Sequence, residues 1–325
     1  MTMMRTIEMK EPGGPDVLRL GERPIPKVGD GEVLVKVTAA GVNGPDIVQR
    51  RGHYPPPPGA SDLLGLEISG EITGVGNGVE HWSPGNNVCA LTNGGGYAEY
   101  VTVPAGQCLP VPEGVSVHDA AGICETFFTV WSNCFYQKTH APDAVLLVHG
   151  GAGGIGSTTI QLGAALGLRV FATCSEDDRA FCVAAGAERA IDYRNEDFVE
   201  IVREAGGASM ILDIIGGDYV ERNFKAAAQD AHIIQLAFNR GSKVDVNLMP
   251  IMLKRLVLTG STLRPRPPEF KASIAASLRD NVWQLFAAGK MNLHIHEALP
   301  FGEAQRAHEM MERGDHRGKI LLVLN

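Results

Sequence analysis

The feature that most constrains the fold is a glycine-rich loop between an apolar run and a helical pattern. Residues 145–162 read VLLVHGGAGGIGSTTIQL, in which Gly151, Gly153 and Gly156 have the spacing G-x-G-x-x-G. After a strand and at the start of a helix, this spacing is typical of loops that bind a dinucleotide pyrophosphate. The phosphate charge then lies at the positive N-terminus of the helix. We predict a cofactor-binding loop of Gly151, Ala152, Gly153, Gly154, Ile155 and Gly156.

Strand and helix patterns alternate around this loop, which favours a dinucleotide fold over a turn that binds nothing. Strands are predicted at 145–150, 169–174, 188–193, 210–215 and 232–237, with 257–261 as a sixth candidate. Such alternation predicts parallel strands joined by right-handed crossovers, and hence a doubly wound α/β sheet. The first 120 residues are instead rich in glycine, proline and valine, with short alternating runs that predict a compact, mainly β domain.

Size and charge limit the class of protein. A chain of 325 residues favours two domains, and a net charge of −8 argues against nucleic acid or an acidic membrane as the main partner. No apolar stretch approaches membrane-spanning length, and the first residues lack the apolar region of a signal peptide. The six cysteines include no CxxC pair and are expected to be reduced thiols. We expect a cytoplasmic location, with no nucleic-acid or membrane partner.

The end of the second predicted strand indicates which cofactor binds. An acidic residue there favours NAD, and its absence leaves room for the 2′-phosphate of NADP. This strand ends at Ser175 without a carboxylate at its tip, although Asp177 and Asp178 follow. Ser175, Arg179 and Tyr193 are the candidates for contact with the adenosine phosphate. NADPH is therefore favoured, and NADH remains open.

Further candidates follow the later strands of the predicted sheet. Ligands of such sheets lie beyond the carboxyl ends of the strands. Gly216 follows one strand, and Phe238 and Asn239 follow the next, so these three are predicted to line the nicotinamide end. The alternative is an ordinary strand-to-helix turn. His149, directly before the glycine loop, is expected to be satisfied by backbone groups, and the segment 264–268 is read as a linker rather than a phosphate clamp.

Several segments carry a family resemblance that covers essentially the whole chain. They read GVNGPD (41–46), GLEISG (65–70), QRRGHYPPPPGASDLL, NGGGYAEYVTVPAG and LPFGEAQRAHEMMERGDHRGKILL. The chain resembles the medium-chain dehydrogenases/reductases, whose zinc members have cysteine where Asn43 stands and histidine where Leu66 stands. A catalytic zinc ion needs about three N, S or O ligands, and leucine offers none. The likeness is therefore to the zinc-independent quinone oxidoreductase branch, and within it to the p53-induced subfamily.

The resemblance implies the domain plan and the assembly. It implies a GroES-like catalytic domain of residues 1–124 and 266–325 around a Rossmann NADP-binding domain of residues 125–265. It also implies a homodimer, in which the exposed edge strand 257–261 pairs with its counterpart.

Chemistry without a metal requires that hydride pass directly to an electron-poor acceptor. A quinone suits this, because the negative charge that forms on its oxygen needs a hydrogen-bond donor. Asn43 and Tyr54 are the candidate catalytic donors, although Asn43 alternatively caps a turn and Tyr54 alternatively packs. Asp46 and Thr129 are candidate substrate contacts, and Asp46 is favoured as a helix cap.

These observations lead to one main expectation and two alternatives. The main one is an NADPH-dependent quinone oxidoreductase with a small-molecule quinone as substrate. The first alternative is a reductase for the double bond of an enone or a 2-enoyl thioester. The second is a non-catalytic, NADPH-binding sensor or crystallin-like protein.

Overall fold

The chain divides into two compact units. The computed structural model describes residues 2–324. One unit comprises Met1–Phe128 and Arg264–Asn325, and the other comprises Thr129–Leu263. The predicted boundaries, at 124/125 and 265/266, lie within a few residues of these. Among the described residues, no helix has both the length and the apolar character needed to cross a membrane.

The N-terminal part of the first unit is mainly β, as predicted. Its elements are β1 (Met3–Glu8), β2 (Arg19–Pro24), β3 (Glu32–Val42), α1 (Gly44–Arg50), β4 (Glu67–Val75), β5 (Asn87–Leu91), β6 (Tyr100–Pro104), β7 (Cys108–Pro110) and α2 (Cys124–Val130). Along β3, Val33, Val35 and Val37 are buried while Lys36 is exposed. This alternation turns one face of the strand into the core of the first unit.

The second unit is the doubly wound sheet that the alternating pattern predicts. Its elements are β8 (Val145–His149), α3 (Gly154–Ala165), β9 (Arg169–Cys174), α4 (Arg179–Ala184), β10 (Arg189–Asp192), α5 (Phe198–Glu204), β11 (Ala208–Asp213), α6 (Tyr219–Ala226), β12 (Ala227–Gln235), α7 (Met249–Lys254) and β13 (Val257–Gly260). The strand order is β10-β9-β8-β11-β12-β13, and every pair is parallel. The strand order reverses between β8 and β11, the place where such folds bind ligands.

The C-terminal part returns to the sheet of the first unit. Its elements are α8 (Pro268–Asn281), α9 (Trp283–Ala287), β14 (Ile295–Pro300), α10 (Ala304–Arg313) and β15 (Lys319–Val323). The sheet order is β14-β15-β3-β4-β5-β7, with β6 also paired to β3. Ile320 is the partner of Val42 in the antiparallel register of β15 and β3. That register places the start of β15 beside the end of β3.

Candidate active site

The most tightly connected polar cluster of the first unit joins the ends of three strands. Asn43 follows β3, Glu67 begins β4 and Lys319 begins β15. The Nδ2 of Asn43 donates to Glu67 Oε1 at 2.9 Å, and the Nζ of Lys319 donates to Asn43 Oδ1 at 2.5 Å. Lys319 Nζ also lies 2.7 Å from Glu67 Oε1, and the side chains are at most 6% exposed. The ammonium and the carboxylate therefore neutralise each other inside the protein.

Asn43 was singled out by its motif, whereas Glu67 and Lys319 were missed. Glu67 stands in the quoted GLEISG segment, so its signal was present in the sequence. Lys319 becomes a partner only through the pairing of β15 with β3. The bond to Glu67 uses one of the two amide hydrogens of Asn43. Within residues 2–324, no acceptor takes the other amide hydrogen, and Asn43 is 4% exposed.

Asn43 is the N-cap of α1, and Asp46 is the third residue of the helix, whose side chain bonds the N-cap backbone in a capping box. Its Oδ2 accepts from the amide of Asn43, and its Oδ1 accepts from the amide of Gly65, each at 2.9 Å. Burial raises the pKa of this carboxyl group to about 7, against the lowering effect of the two amide hydrogen bonds. The side chain has no exposed surface. Both carboxylate oxygens are thus engaged by backbone amides, and the role of Asp46 as a substrate contact stays a prediction.

Glu125, at the start of α2, is a candidate acid or base that the sequence analysis did not assign. Its backbone amide donates to Glu67 Oε2 at 2.8 Å. Its carboxyl group is partly buried, and burial raises its pKa to about 7, with Lys319 opposing and Glu67 and Asp46 adding to the shift. A carboxyl group that titrates near neutral pH can deliver or accept a proton. Thr129, the other predicted substrate contact, lies later on α2 and is partly exposed.

Tyr54 lies in the stiff segment between α1 and the four prolines. Its backbone carbonyl accepts from Arg264 Nη1 at 3.3 Å, and the Arg264 guanidinium carbon lies 5.2 Å from the centre of its ring. Burial raises the pKa of the phenol, the nearby guanidinium lowers it, and Glu125 and Asp46 raise it further. At neutral pH the hydroxyl is therefore protonated and can act as a donor. Arg264 is buried against the first unit, so it is more than part of a linker.

The glycine loop of the second unit has the geometry of a phosphate cradle. A Cβ on Gly156 would lie 2.1 Å from the carbonyl oxygen of Gly150, so no larger residue fits without a backbone shift. At Gly153 the nearest atom to such a Cβ is 3.8 Å away, which leaves that side open. Gly153 caps α3 without any side-chain hydrogen bond, and the first turn holds no acidic residue. The first amides of α3 therefore remain available to an anion.

A buried network links the loops at the carboxyl ends of the central strands. His149 bonds Thr173 Oγ1 through Nδ1 at 3.0 Å and Asn223 Oδ1 through Nε2 at 2.8 Å. Its partners are thus side chains, and the expectation of backbone partners was wrong. Asn223 in turn donates to Asp213, which accepts from the amide of Gly216 at 3.1 Å. The network fixes the turn after β11.

The predicted nicotinamide-end residues come together at that turn. A Cβ on Gly216 would lie 2.8 Å from a ring carbon of Phe238, and the amide of Asn239 donates to the carbonyl of Ile214 at 3.2 Å. Gly216 has a φ of +66°, which glycine adopts without strain. Phe238 is 50% exposed. The structure therefore brings Gly216, Phe238 and Asn239 together beyond the carboxyl ends of the strands, where Phe238 and Asn239 are exposed and Gly216 is buried.

The predicted adenosine-end residues are already engaged with acidic neighbours. The spacing of Ser175 and Asp178 predicts a capping box at the start of the following helix. This prediction is wrong, because Ser175 Oγ donates to Asp178 Oδ2 at 2.5 Å and makes no capping hydrogen bond. Arg179 lies 2.8 Å from Glu176 and 3.1 Å from Glu196. A 2′-phosphate at Arg179 would compete with these two carboxylates. Tyr193 directly follows β10.

Family models match both parts of this architecture. Residues 29–113 match the alcohol dehydrogenase GroES-like domain, and residues 185–322 match the zinc-binding dehydrogenase domain. Quinone oxidoreductase 1 of Escherichia coli is 30% identical over 99% of this chain and 100% of that protein. The quinone oxidoreductase of Salmonella typhimurium is 31% identical, with the same coverage.

Solved structures agree with these matches. Escherichia coli quinone oxidoreductase complexed with NADPH has a TM-score of 0.85 and 27% identity, covering 98% of this chain and all of that one. A mycobacterial protein complexed with NADPH has a TM-score of 0.86 and 29% identity, covering 99% of this chain and all of that one. The predicted combination of a GroES-like domain with a Rossmann-like parallel sheet is confirmed.

Proposed function

Since the chain belongs to the quinone oxidoreductase family of the medium-chain dehydrogenases/reductases, we propose that it transfers hydride directly from NADPH to a quinone without a metal ion. The observation that carries the proposal is the buried ammonium of Lys319, bonded to both Asn43 and Glu67. It supplies one fixed positive charge in the cluster where zinc-dependent relatives place their first two metal-binding motifs. That charge neutralises Glu67 without a metal.

The residues around this cluster do not fit a catalytic zinc ion. Leu66 has no ligand atom, and Asn43 offers an amide that is already bonded to two partners. Cys124 is buried and would supply one thiol ligand, whereas a catalytic zinc ion needs about three protein ligands. The family model that matches residues 185–322 is named for zinc binding, but the residues of this cluster do not form a suitable set of zinc ligands.

The glycine loop supports NADPH as the cofactor. Its open side at Gly153, its close packing at Gly156 and the uncapped N-terminus of α3 suit a pyrophosphate. Two structurally similar proteins were solved with NADPH. Bound there, the reduced nicotinamide would supply the hydride. Gly216, Phe238 and Asn239 would line its reacting end, and Ser175, Arg179 and Tyr193 its adenosine end.

Reduction of a quinone to a hydroquinone by hydride also consumes one proton, and the first unit offers two candidate donors for it. Tyr54 holds a protonated phenol at neutral pH, and Glu125 holds a carboxyl group with a pKa of about 7. The remaining amide hydrogen of Asn43 would stabilise charge on the acceptor oxygen. Thr129 is retained as a candidate contact with the substrate.

We further propose a homodimer in the cytoplasm. Val257 and Leu258 on β13 are 51% and 48% exposed, and Met252 and Leu253 on α7 are 68% and 64% exposed. An edge strand that adjoins apolar side chains is a surface that proteins usually cover. All six cysteines are buried, and none of them forms a disulfide within residues 2–324, which suits a reducing compartment.

An acceptor panel tests this function. NADPH and NADH would be assayed in parallel against ortho- and para-quinones, enones and a simple aldehyde, each with and without a chelator. Quinone turnover that prefers NADPH and ignores the chelator supports the proposal. Turnover of enones alone would assign a double-bond reductase, and tight NADPH binding without turnover would assign a sensor. Aldehyde reduction that the chelator abolishes would contradict metal independence.

A further inference from the structure

Arg264 carries a buried guanidinium that is bonded only to neutral groups. Its Nε and Nη2 donate to the carbonyl oxygen of Asn93 at 2.9 and 2.6 Å. Its Nη1 donates to Gln49 Oε1 at 2.8 Å and to the carbonyl oxygen of Tyr54 at 3.3 Å. The residue is 6% exposed. One side chain thus ties together α1, the turn after β5 and the segment that holds Tyr54.

The positive charge of this guanidinium has no close counter-ion. No carboxylate in residues 2–324 lies within ion-pairing distance of Arg264. A second cation, Lys271, lies beside it and adds to the positive charge. The Nζ of Lys271 donates to Asn93 Oδ1 at 2.5 Å and to the carbonyl oxygen of Arg264 at 2.7 Å. A buried, unpaired charge is costly unless something compensates for it. Two such cations side by side create a positive potential at this place.

The aromatic ring of Tyr54 lies close to this positive charge. The guanidinium carbon of Arg264 lies 5.2 Å from the centre of the Tyr54 ring, within the range of a cation–π contact. The other charged groups that act on the phenol are Glu125 and Asp46, and both disfavour its ionised form. Arg264, in contrast, favours the ionised form, because its positive charge lowers the pKa of the phenol.

We propose that Arg264 is the positioning residue of Tyr54, holding the phenol in place and stabilising the negative charge left when it gives up its proton. The inference rests on the proposed quinone reduction. As the acceptor gains the two electrons of the hydride, the O–H bond of Tyr54 breaks and an O–H bond forms on the acceptor oxygen. The phenolate then regains a proton from water, so no further oxidant or reductant is needed. Arg264 acts only through Tyr54.

The first test is a mutant cycle in quinone turnover. Arg264→Met and Arg264→Lys would each be made with Tyr54 and with Tyr54→Phe, and Arg266→Gln would serve as the control. Arg266 is exposed and stacks on Phe270 instead. We expect Arg264→Met to lower kcat about tenfold or more with an unchanged KM for NADPH, and Arg264→Lys to recover part of the loss. In the Tyr54→Phe background the same change should cost almost nothing more.

The proposal is overturned if the double variant loses kcat by the product of the two single-variant factors, because Arg264 and Tyr54 would then act independently. It is also overturned if Arg266→Gln lowers kcat as much as Arg264→Met does. The alkaline limb of the pH profile of kcat is a second readout. The alkaline limb due to Tyr54 is the one that disappears in Tyr54→Phe. Removal of the Arg264 cation should shift this limb to higher pH, and an unshifted limb contradicts the proposal. A purely structural role would leave that limb in place.

Hydrogen exchange gives a readout that needs no turnover. Amides of the segment 52–60 should exchange faster in Arg264→Met than in the wild type or in Arg266→Gln, and unchanged exchange overturns the proposal. If Arg264→Met does not fold, Arg264→Lys takes its place. Lysine keeps the positive charge but lacks the several N–H donors of the guanidinium, so the same amides should exchange faster, to a lesser degree. Absence of quinone turnover in the wild type would refute the proposed function, and hydrogen exchange would then decide the inference alone.

Discussion

At the scale of single residues, Lys319 and Glu67 form a buried ion pair on which folding depends. Lys319→Met would leave the Glu67 carboxylate buried without its cation, which typically costs about 3–5 kcal/mol of folding free energy. We expect urea unfolding to show a loss of this size. The exposed Lys243, replaced in the same way, should leave the unfolding free energy almost unchanged.

A second change identifies the origin of that loss. Glu67→Gln in the Lys319→Met background removes the uncompensated charge, so it should restore part of the stability. Equal unfolding free energies for the wild type and Lys319→Met would show that the pair is not buried as described.

Glu125 predicts a pH dependence of stability. The folded state raises the pKa of its carboxyl group from 4.5 to about 7, so the folded protein holds this proton more tightly than the unfolded chain. Stability from this group is complete below about pH 4.5 and is lost as the pH rises to about 7. Glu125→Gln should therefore match the wild type at low pH and gain about 2 kcal/mol over it above pH 7, as measured by urea unfolding at several pH values.

The exposed Glu113 provides the matched control for this series. Glu113→Gln should follow the wild type at every pH. A constant difference between Glu125→Gln and the wild type would contradict the raised pKa.

Residue by residue, the sequence predicted those parts of the candidate site that lie in local motifs. Asn43 and the cap formed by Asp46 were predictable because the GVNGPD segment is short and continuous. Lys319 was not, because it meets Asn43 only after β15 pairs with β3. The environment of Glu125 likewise depends on burial by distant segments. Such contacts are properties of the tertiary fold and leave no periodic trace in the chain.

At the scale of elements, alanine substitutions of Gly156 and Gly153 in the loop between β8 and α3 should affect stability and NADPH affinity differently. Gly156→Ala would force a Cβ to 2.1 Å from the Gly150 oxygen, so it should lower both stability and NADPH affinity. Gly153→Ala meets nothing closer than 3.8 Å and should fold normally. Its methyl group lies on the side left open for a phosphate, so its affinity for NADPH should still fall by about tenfold. Thermal unfolding and cofactor titration measure the two effects.

Equal NADPH affinity for Gly153→Ala and the wild type would contradict the placement of the pyrophosphate. A loss of stability in Gly153→Ala would show that the loop is packed more tightly than described.

The doubly wound sheet could be predicted because alternation of strands and helices is a local pattern. The sixth strand, β13, was predicted for the same reason. The helical pattern over residues 268–288 predicts one long helix, and this prediction is wrong, because the chain is interrupted at Val282, between α8 and α9. Apolar spacing continues across such a break, so periodicity alone does not reveal it. The missing capping box at Ser175 has a similar cause, because its hydroxyl bonds the Asp178 side chain instead.

At the scale of the whole molecule, the exposed edge strand β13 of the second unit leads us to expect a dimer that pairs through this strand. Leu258→Asp would place a charge on β13 beside the apolar side chains of α7, and should shift a dimer to monomers at micromolar concentration. Analytical ultracentrifugation measures the change. Val183→Asp is the control, because Val183 is 54% exposed on α4, away from that edge in the sheet order. Identical masses for Leu258→Asp and the wild type would contradict pairing through β13.

The discontinuous first unit was predicted from the resemblance and not from the chain's own periodicity. Strand β15 is sequentially remote from β3, and no local signal states that residue 320 pairs with residue 42. Glycine and proline content distinguished the first part of the chain from the second. The division at 128/129 and 263/264 follows from packing, which acts over longer distances than a sequence pattern records.

The central claim is that hydride passes directly from NADPH to a quinone without a metal. It is tested most directly in single turnovers of enzyme whose metal content has been measured and removed, with NADPH that carries deuterium at the transferred position. We expect an unchanged rate after metal removal, a primary isotope effect and one hydroquinone formed for each NADPH consumed. A rate that disappears with the metal and returns with added zinc would contradict it.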